Sequence, residues 1–287
     1  MTIAAPGVKR MERSSDALKT HVSAAKTLSI RQTRKGWCQE CIGCEAKDEV
    51  RKLLVMNVTI NNGWSSSAVC AHITISFTLN IPQYKFFKEG ERDHFATALE
   101  DSSFCSRFWL APCHPFKLSV VENGTNAELI SMERPCACRA GTCKCCCYQK
   151  ATFTSGGQDM GSIKEQFYCC VPRFKTYDAE GKEMYKVHPP TCCLGTCVNC
   201  CAEGNPCGKG CCKSSFRIYA ASQEKTDGDA EYLGMILKKP KSGATEIFTS
   251  ANAFDVTFPD SASTDEKALL IGSAMFFNAN FYENQGE

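Results

Sequence analysis

No stretch of this chain reaches the roughly 20 predominantly apolar residues that a bilayer-spanning helix needs. Nor do its 287 residues hold a glycine-rich phosphate loop, an HExxH pair or a GxSxG turn. That removes any motif-level case for nucleotide, zinc-peptidase or serine-hydrolase chemistry. Histidine is scarce: His21, His72, His94, His114 and His188 are scattered, and the last two precede prolines in turn-like settings. The net charge is only +2, so no global field favours a specific nucleic-acid partner. Together these absences argue against an enzyme. The basic positions near the N-terminus are followed by no secretory apolar stretch of about 7–15 residues. A cytosolic, reducing compartment is therefore expected, in which thiols are free, acylated or metal-bound. The sequons at Asn57 and Asn123 would then never meet the glycosylation machinery.

What the chain does have is cysteine, 22 in all. The densest part is Cys143-Lys144-Cys145-Cys146-Cys147, just after Glu133-Arg134-Pro135-Cys136-Ala137-Cys138. Such a patch suits a lipid, a metal or an oxidant. With Lys144 and Lys150 beside it and no histidine or carboxylate close in sequence, the lipid reading is favoured. Each buried acyl methylene contributes about 0.8 kcal/mol, and stable anchoring takes two chains or one chain plus basic residues. Cys143, Cys145, Cys146 and Cys147 are thus the expected lipidation sites. Further groups are Cys38/Cys41/Cys44 and Cys192 to Cys212. Within the latter, Cys197, Cys200, Cys207 and Cys211 have a spacing similar to a small structural zinc site. A buried Gly/Cys loop with inert thiols is the competing reading.

Residues 1–35 carry Lys9, Arg10, Arg13, Lys19, Lys26, Arg31, Arg34 and Lys35 against Glu12 and Asp16. They are expected to form a solvated basic arm, with attraction to an anionic leaflet as the alternative. From about Tyr84 onward, short alternating stretches end at turn residues. Examples are Pro115–Val121 before Glu122-Asn123-Gly124, Glu128–Met132, Arg173–Tyr177 before Asp178-Ala179-Glu180-Gly181, Phe216–Tyr219 and Tyr232–Leu237. Hairpins of this kind predict an all-β domain, a sandwich or an antiparallel barrel, over 36–287. The apolar, β-branched segment Ser65–Ile81 interrupts the pattern as an extra hairpin, an insertion or a gene-model artefact. At the C-terminus the period changes, and 265–283 reads as one helix capped by Thr264 or Asp265. Its apolar residues Leu269, Leu270, Ile271, Met275, Phe276 and Phe277 run all round it. The stretch is too short to span a bilayer, so it is expected to be buried in protein.

Several of these segments resemble the phospholipid scramblase family. The resemblance rests on Gln39-Glu40-Cys41-Ile42-Gly43-Cys44-Glu45-Ala46-Lys47, on Glu133-Arg134-Pro135 before the cysteines, and on Phe167-Tyr168-Cys169-Cys170-Val171-Pro172-Arg173-Phe174. It continues through Phe216-Arg217-Ile218 and, without gaps, from Gly234 to Gly272. Residues 50–82 have no counterpart in it. The resemblance implies a Tubby-like fold, a closed antiparallel barrel around a single apolar C-terminal helix. It also implies a palmitoylated protein on the cytosolic face of a membrane, the plasma membrane first among candidates, that promotes bidirectional phospholipid exchange. A nuclear fraction is expected without acylation, given Lys238-Lys239-Pro240-Lys241.

The family also implies calcium, at a loop just before the helix. Here Ser250, Asn252, Phe254 and Ser261 stand where carboxylates are wanted. Only Asn252, Asp255 and Asp260 remain as ligands, and they predict millimolar affinity at best. A buried helix offers no polar path for headgroups, so oligomerisation or partial insertion would have to supply one. The competing class is a palmitoylated scaffold that binds lipid or protein and does not itself scramble.

Overall fold

The computed structural model describes residues 14–32, 54–58, 75–79, 82–101, 115–137, 143–199, 202, 214–239 and 252–282. The strands are β1 (Thr27–Gln32), β2 (Leu54–Val58), β3 (Ile75–Leu79), β4 (Pro82–Lys88), β5 (Ala96–Asp101) and β6 (Phe116–Glu122). They continue with β7 (Glu128–Arg134), β8 (Cys143–Lys144), β9 (Lys150–Ser155), β10 (Gln158–Glu165), β11 (Tyr168–Cys169) and β12 (Phe174–Asp178). The last are β13 (Glu183–His188), β14 (Thr191–Cys192), β15 (Cys197–Val198), β16 (Ser214–Ala220), β17 (Gly234–Lys238) and β18 (Ala253–Thr257). Two helices, α1 (Asp16–Val22) and α2 (Thr264–Phe277), complete the set.

Twelve strands close a barrel in the order β1-β18-β17-β16-β13-β12-β10-β9-β7-β6-β5-β4, every neighbour antiparallel. The expected all-β barrel around one apolar helix is the observed architecture. Closure depends on β1, which pairs with β18 on one side and β4 on the other. Residues 14–32 therefore belong to the barrel and not to a solvated arm. Leu28 and Ile30 point into the core, while Arg31 lies over the outer face of Phe87 at 4.6 Å. A strand with one apolar face hides easily among the lysines and arginines around it. The interruption between β1 and β4 contains the separate hairpin β2–β3, so the unmatched segment stands outside the barrel's strand order.

Helix α2 fills the barrel. Its cap is Ser263, one residue earlier than the sequence suggested. The Ser263 Oγ accepts from the Glu266 amide, and the Glu266 carboxylate accepts from the Ser263 amide, a reciprocal capping box. All of its residues except Asp265 and Glu266 are buried. Leu269, Leu270, Ile271, Met275, Phe276 and Phe277 are each at most 2% exposed. Gly272 lies against Phe153, where a Cβ would come within 2.3 Å of the ring. No helix among the described residues is long and apolar enough to cross a membrane.

The strands run alternately up and down, so successive connections alternate between the two ends of the barrel. Those after β1, β5, β7, β10, β13 and β17 share one end, and those after β4, β6, β9, β12 and β16 share the other. The cysteines among the described residues all fall in the first set of connections; none of them lies in a barrel strand, in the second set or in α2. Helix α1 covers the cysteine-free end. The Ser14 amide donates to Asp265 Oδ1 at 2.9 Å, and Lys267 Nζ reaches the Ser23 and Ala25 carbonyls at 2.7 and 2.8 Å. The last turn of the helical segment, Asn278–Tyr282, surfaces at the cysteine end. There Asn252 Nδ2 donates to Asn278 Oδ1 at 2.9 Å, and Tyr282 and Ser214 share a hydroxyl contact at 2.6 Å.

Candidate functional site

Three connections at the cysteine end are described well enough to build a surface. The first, between β7 and β9, carries the bend Cys145-Cys146-Cys147, with all three thiols exposed. The second, between β10 and β12, carries Phe167, Cys169 and Cys170, and Phe167 is 64% exposed. The third follows β13 and carries Cys193, Leu194 and Cys197, with the Leu194 side chain fully in solvent.

A buried polar network fixes the first connection to the second. Arg134, only 2% exposed, donates from Nε to Gln149 Oε1 at 3.0 Å, and Gln149 Nε2 donates to the Ala137 carbonyl at 3.1 Å. The Gln149 amide donates to Glu165 Oε2 at 2.8 Å, and Lys144 Nζ sits 3.4 Å from the same oxygen. Above this network β8 pairs with β11, Lys144 opposite Tyr168 and Cys143 opposite Cys169. Lys144 is thus buried in an ion pair. In sequence Lys144 stands beside the thiols as a basic residue that could support an acyl anchor, but its charge is neutralised from within, and only Lys150 of that pair of lysines is exposed.

Asp227, in the connection after β16, reaches up from the opposite end and ties the second connection to the third. Its Oδ1 accepts from Arg173 Nη2 at 2.7 Å and from Thr191 Oγ1 at 3.2 Å. Burial opposes ionisation of this carboxyl, yet the hydrogen bond and charge of Arg173, with Thr191, hold it below the usual carboxylate range. Gly195 is required here: its φ is +83°, and a Cβ would meet Asp227 Cγ at 2.5 Å. Beneath it His188 is stacked on Tyr219 at 4.7 Å and is 2% exposed. Burial pushes the imidazole's pKa down, so the neutral ring is the folded form. A base with a lowered folded-state pKa is stabilising above its unfolded value near 6.5 and loses that contribution as pH falls through it. Unfolding midpoints of the natural chain should therefore fall between pH 7 and 5.5. In His188→Phe, which keeps the stacked ring, that slope should be measurably shallower.

Backbone strain collects on the same surface. Five non-glycine residues among those described have positive φ, and four of them are Cys147, Cys170, Cys193 and Leu194. Left-handed backbone is rare for such side chains, and it concentrates where function holds it.

The Cys146 thiol is not activated. At Cys146 the neighbouring Cys145, and after it Cys147, raise the thiol's pKa, the reverse of what a nucleophilic cysteine needs. Among the described residues no three His, Cys, Asp or Glu side chains gather as a metal site. The calcium candidates are not brought together. Asn252 is buried and bonded to Asn278. On β18, Asp255 accepts from Ser29 Oγ at 2.6 Å and pairs with Lys239 at 2.7 Å. Asp260 is exposed beyond the far end of that strand. At about 3.3 Å per residue along an extended strand, Asn252 and Asp260 are separated by well over a coordination sphere. Of the zinc candidates, Cys197 is exposed; Cys200, Cys207 and Cys211 lie outside the described residues, as do Cys38, Cys41, Cys44 and the Cys143 side chain. Lys238 and Lys239 of the basic motif are engaged, with the Tyr282 ring and with Asp255.

Such a protein is a helix-filled β-barrel whose described thiols, with exposed Phe167 and Leu194, lie in connections that leave one end. Residues 82–284 match the family model described as Scramblase, and the chain belongs to that family. Phospholipid scramblase 1 of Homo sapiens is 27% identical over 197 residues, covering 69% of this chain and 55% of the relative. Phospholipid scramblase 2 of Homo sapiens is 26% identical over 68% of this chain and 58% of its own length. Phospholipid scramblase family member 5 of Homo sapiens is 23% identical over 68% and 64% respectively. The chain thus aligns with little more than half the length of the first two of these relatives. No solved structure matches it.

Proposed function

We propose that this protein is held by acylated cysteines on the cytosolic face of a membrane and promotes ATP-independent, bidirectional movement of phospholipids between leaflets. The observation that supports the reading is the exposure of Cys145, Cys146 and Cys147 together on one connection of a barrel whose sequence belongs to the scramblase family. Exposed thiols at Cys145, Cys146 and Cys147 accept acyl chains, and two chains, or one chain with a basic residue such as Lys150, hold a protein stably at a bilayer. The barrel then stands on the leaflet with its cysteine end down and α1 away from it.

Lipid does not pass through this barrel, because α2 and its aromatic neighbours fill the interior. Exchange takes place where the anchored end meets the leaflet, or between copies, and apolar tips beside polar backbone loosen headgroup packing there. The same filled interior favours a second reading, a membrane-attached scaffold without intrinsic activity. Reconstitution separates the two. Acylated protein in vesicles with a fluorescent lipid should expose the inner-leaflet probe to a membrane-impermeant quencher faster than empty vesicles do. The rate should be the same in chelator and in micromolar calcium, because the candidate ligands are dispersed. Rates equal to those of empty vesicles would select the scaffold.

A further inference from the structure

We infer that the β11 tip, through Cys169 and Cys170 beside Phe167, is a second S-acylation site that anchors the barrel to the same lipid leaflet. The inference rests on the reading that Cys145–Cys147 are acylated, and it extends that anchor to a different segment of chain.

Four observations converge on the tip. Both thiols are exposed, with their sulfurs 3.9 Å apart. The bond from the Val171 amide to the Cys169 carbonyl, at 2.9 Å, closes a three-residue turn that holds Cys170 at a φ of 68°. A short strained turn of this kind thrusts its central side chain outward. Phe167, just before β11, leaves most of its ring in water, whereas an aromatic ring of that size is ordinarily covered. Finally, the β8–β11 pairing sets Cys169 opposite Cys143, so strands about 4.8 Å apart carry the two cysteine segments. A leaflet that receives chains from Cys145–Cys147 lies within reach of this tip, and Phe167 would enter it alongside. The Arg173–Asp227–Thr191 contacts keep the tip from swinging away.

The chemistry is thioester exchange. A thiolate of Cys169 or Cys170 attacks the carbonyl carbon of a long-chain acyl-CoA, and a new carbon–sulfur bond forms. The bond to the CoA sulfur breaks, and CoA leaves as its thiol with the proton. Nothing is oxidised or reduced. A membrane acyltransferase is the expected catalyst.

Trypsin separates the two sites, since cleavage after Lys144 and Lys150 releases 145–150, and cleavage after Lys164 and Arg173 releases 165–173. The full chain, extracted from cell membranes with free thiols blocked, is digested and both peptides are analysed for hydroxylamine-sensitive acyl groups. The inference predicts acylated 165–173. An acylated 145–150 with a wholly unmodified 165–173 overturns the inference and leaves the first anchor standing. If neither peptide is acylated, both readings fail; if only 165–173 is, the tip is acylated but the shared anchor with 145–147 is overturned. As a second measurement, Cys169→Ser/Cys170→Ser should lose one or two increments from the ladder that mass-tagged acyl exchange gives for the natural chain. An unchanged ladder would overturn the assignment. Because both positions are exposed, the substitution should leave the unfolding midpoint where it is.

Discussion

Replacing Phe277 by alanine is expected to destabilise the barrel by about 3–5 kcal/mol, the range for a fully buried phenylalanine. The ring is 0% exposed, stacked on Phe216 at 4.1 Å with an interplanar angle of 12°, and packed against Phe174 at 4.9 Å. Truncation would leave a void between β12, β16 and α2 that a closed barrel cannot collapse to fill. The consequence is functional as well as structural. A helix so placed holds twelve strands in register, so drawing it into a bilayer would empty the core of the domain. If α2 instead lay in the membrane, Phe277→Ala would barely change the denaturation midpoint of the barrel. Equilibrium unfolding in urea, followed by circular dichroism, distinguishes the two.

An effect of similar size, about 3–5 kcal/mol, is expected for Glu165→Ala, by a different mechanism. Removing this carboxylate takes the 3.4 Å ion pair from the Lys144 ammonium, buried at 5% exposure, and deprives the Gln149 amide of its acceptor. Breaking one side of a buried ion pair costs more than the pair is worth, so the double variant Lys144→Met/Glu165→Leu should recover the part of the loss owed to charge, while the Gln149 amide still lacks its acceptor. The network also fixes the base of Cys145–Cys147. Glu165→Ala should therefore disturb acylation even in molecules that stay folded, whereas Phe277→Ala should act only through the folded fraction. Unfolding curves beside an acyl-exchange count on the soluble, folded pool check both parts.

Much of this barrel is legible in the chain. Glu128–Arg134 and Phe174–Asp178 alternate and end near turn residues, and the apolar residues of 264–277 are too continuous for an exposed helix and too few for a membrane span. The closing strand is not legible in the same way. Leu28 and Ile30 alternate over only six residues within a basic stretch, and net charge averaged over 35 residues conceals that period. Helix α1 is nearly as short; only its Ser15 cap and the Leu18/Val22 spacing mark it. At the candidate site the exposed thiols follow directly from the Cys145–Cys147 run. The fate of Lys144 does not, because its partner Glu165 lies in another connection and meets it only once β8 pairs with β11. Asp227 is hidden for the same reason: Arg173 and Thr191, which it joins, are 18 residues apart in sequence and meet only across the barrel wall. Polar residues that face one another across strands leave no periodic trace, whereas apolar ones do.

The central claim is that the barrel stands on a membrane by its cysteine end, and amide hydrogen exchange on the acylated, vesicle-bound protein tests it most directly. Binding should slow exchange in peptides spanning 145–150 and 165–173 relative to the same protein in detergent. The turns at 123–127, 156–157 and 179–182, at the opposite end, should exchange as before. Slowed exchange at those opposite turns, with the cysteine-bearing peptides unchanged, would contradict the account.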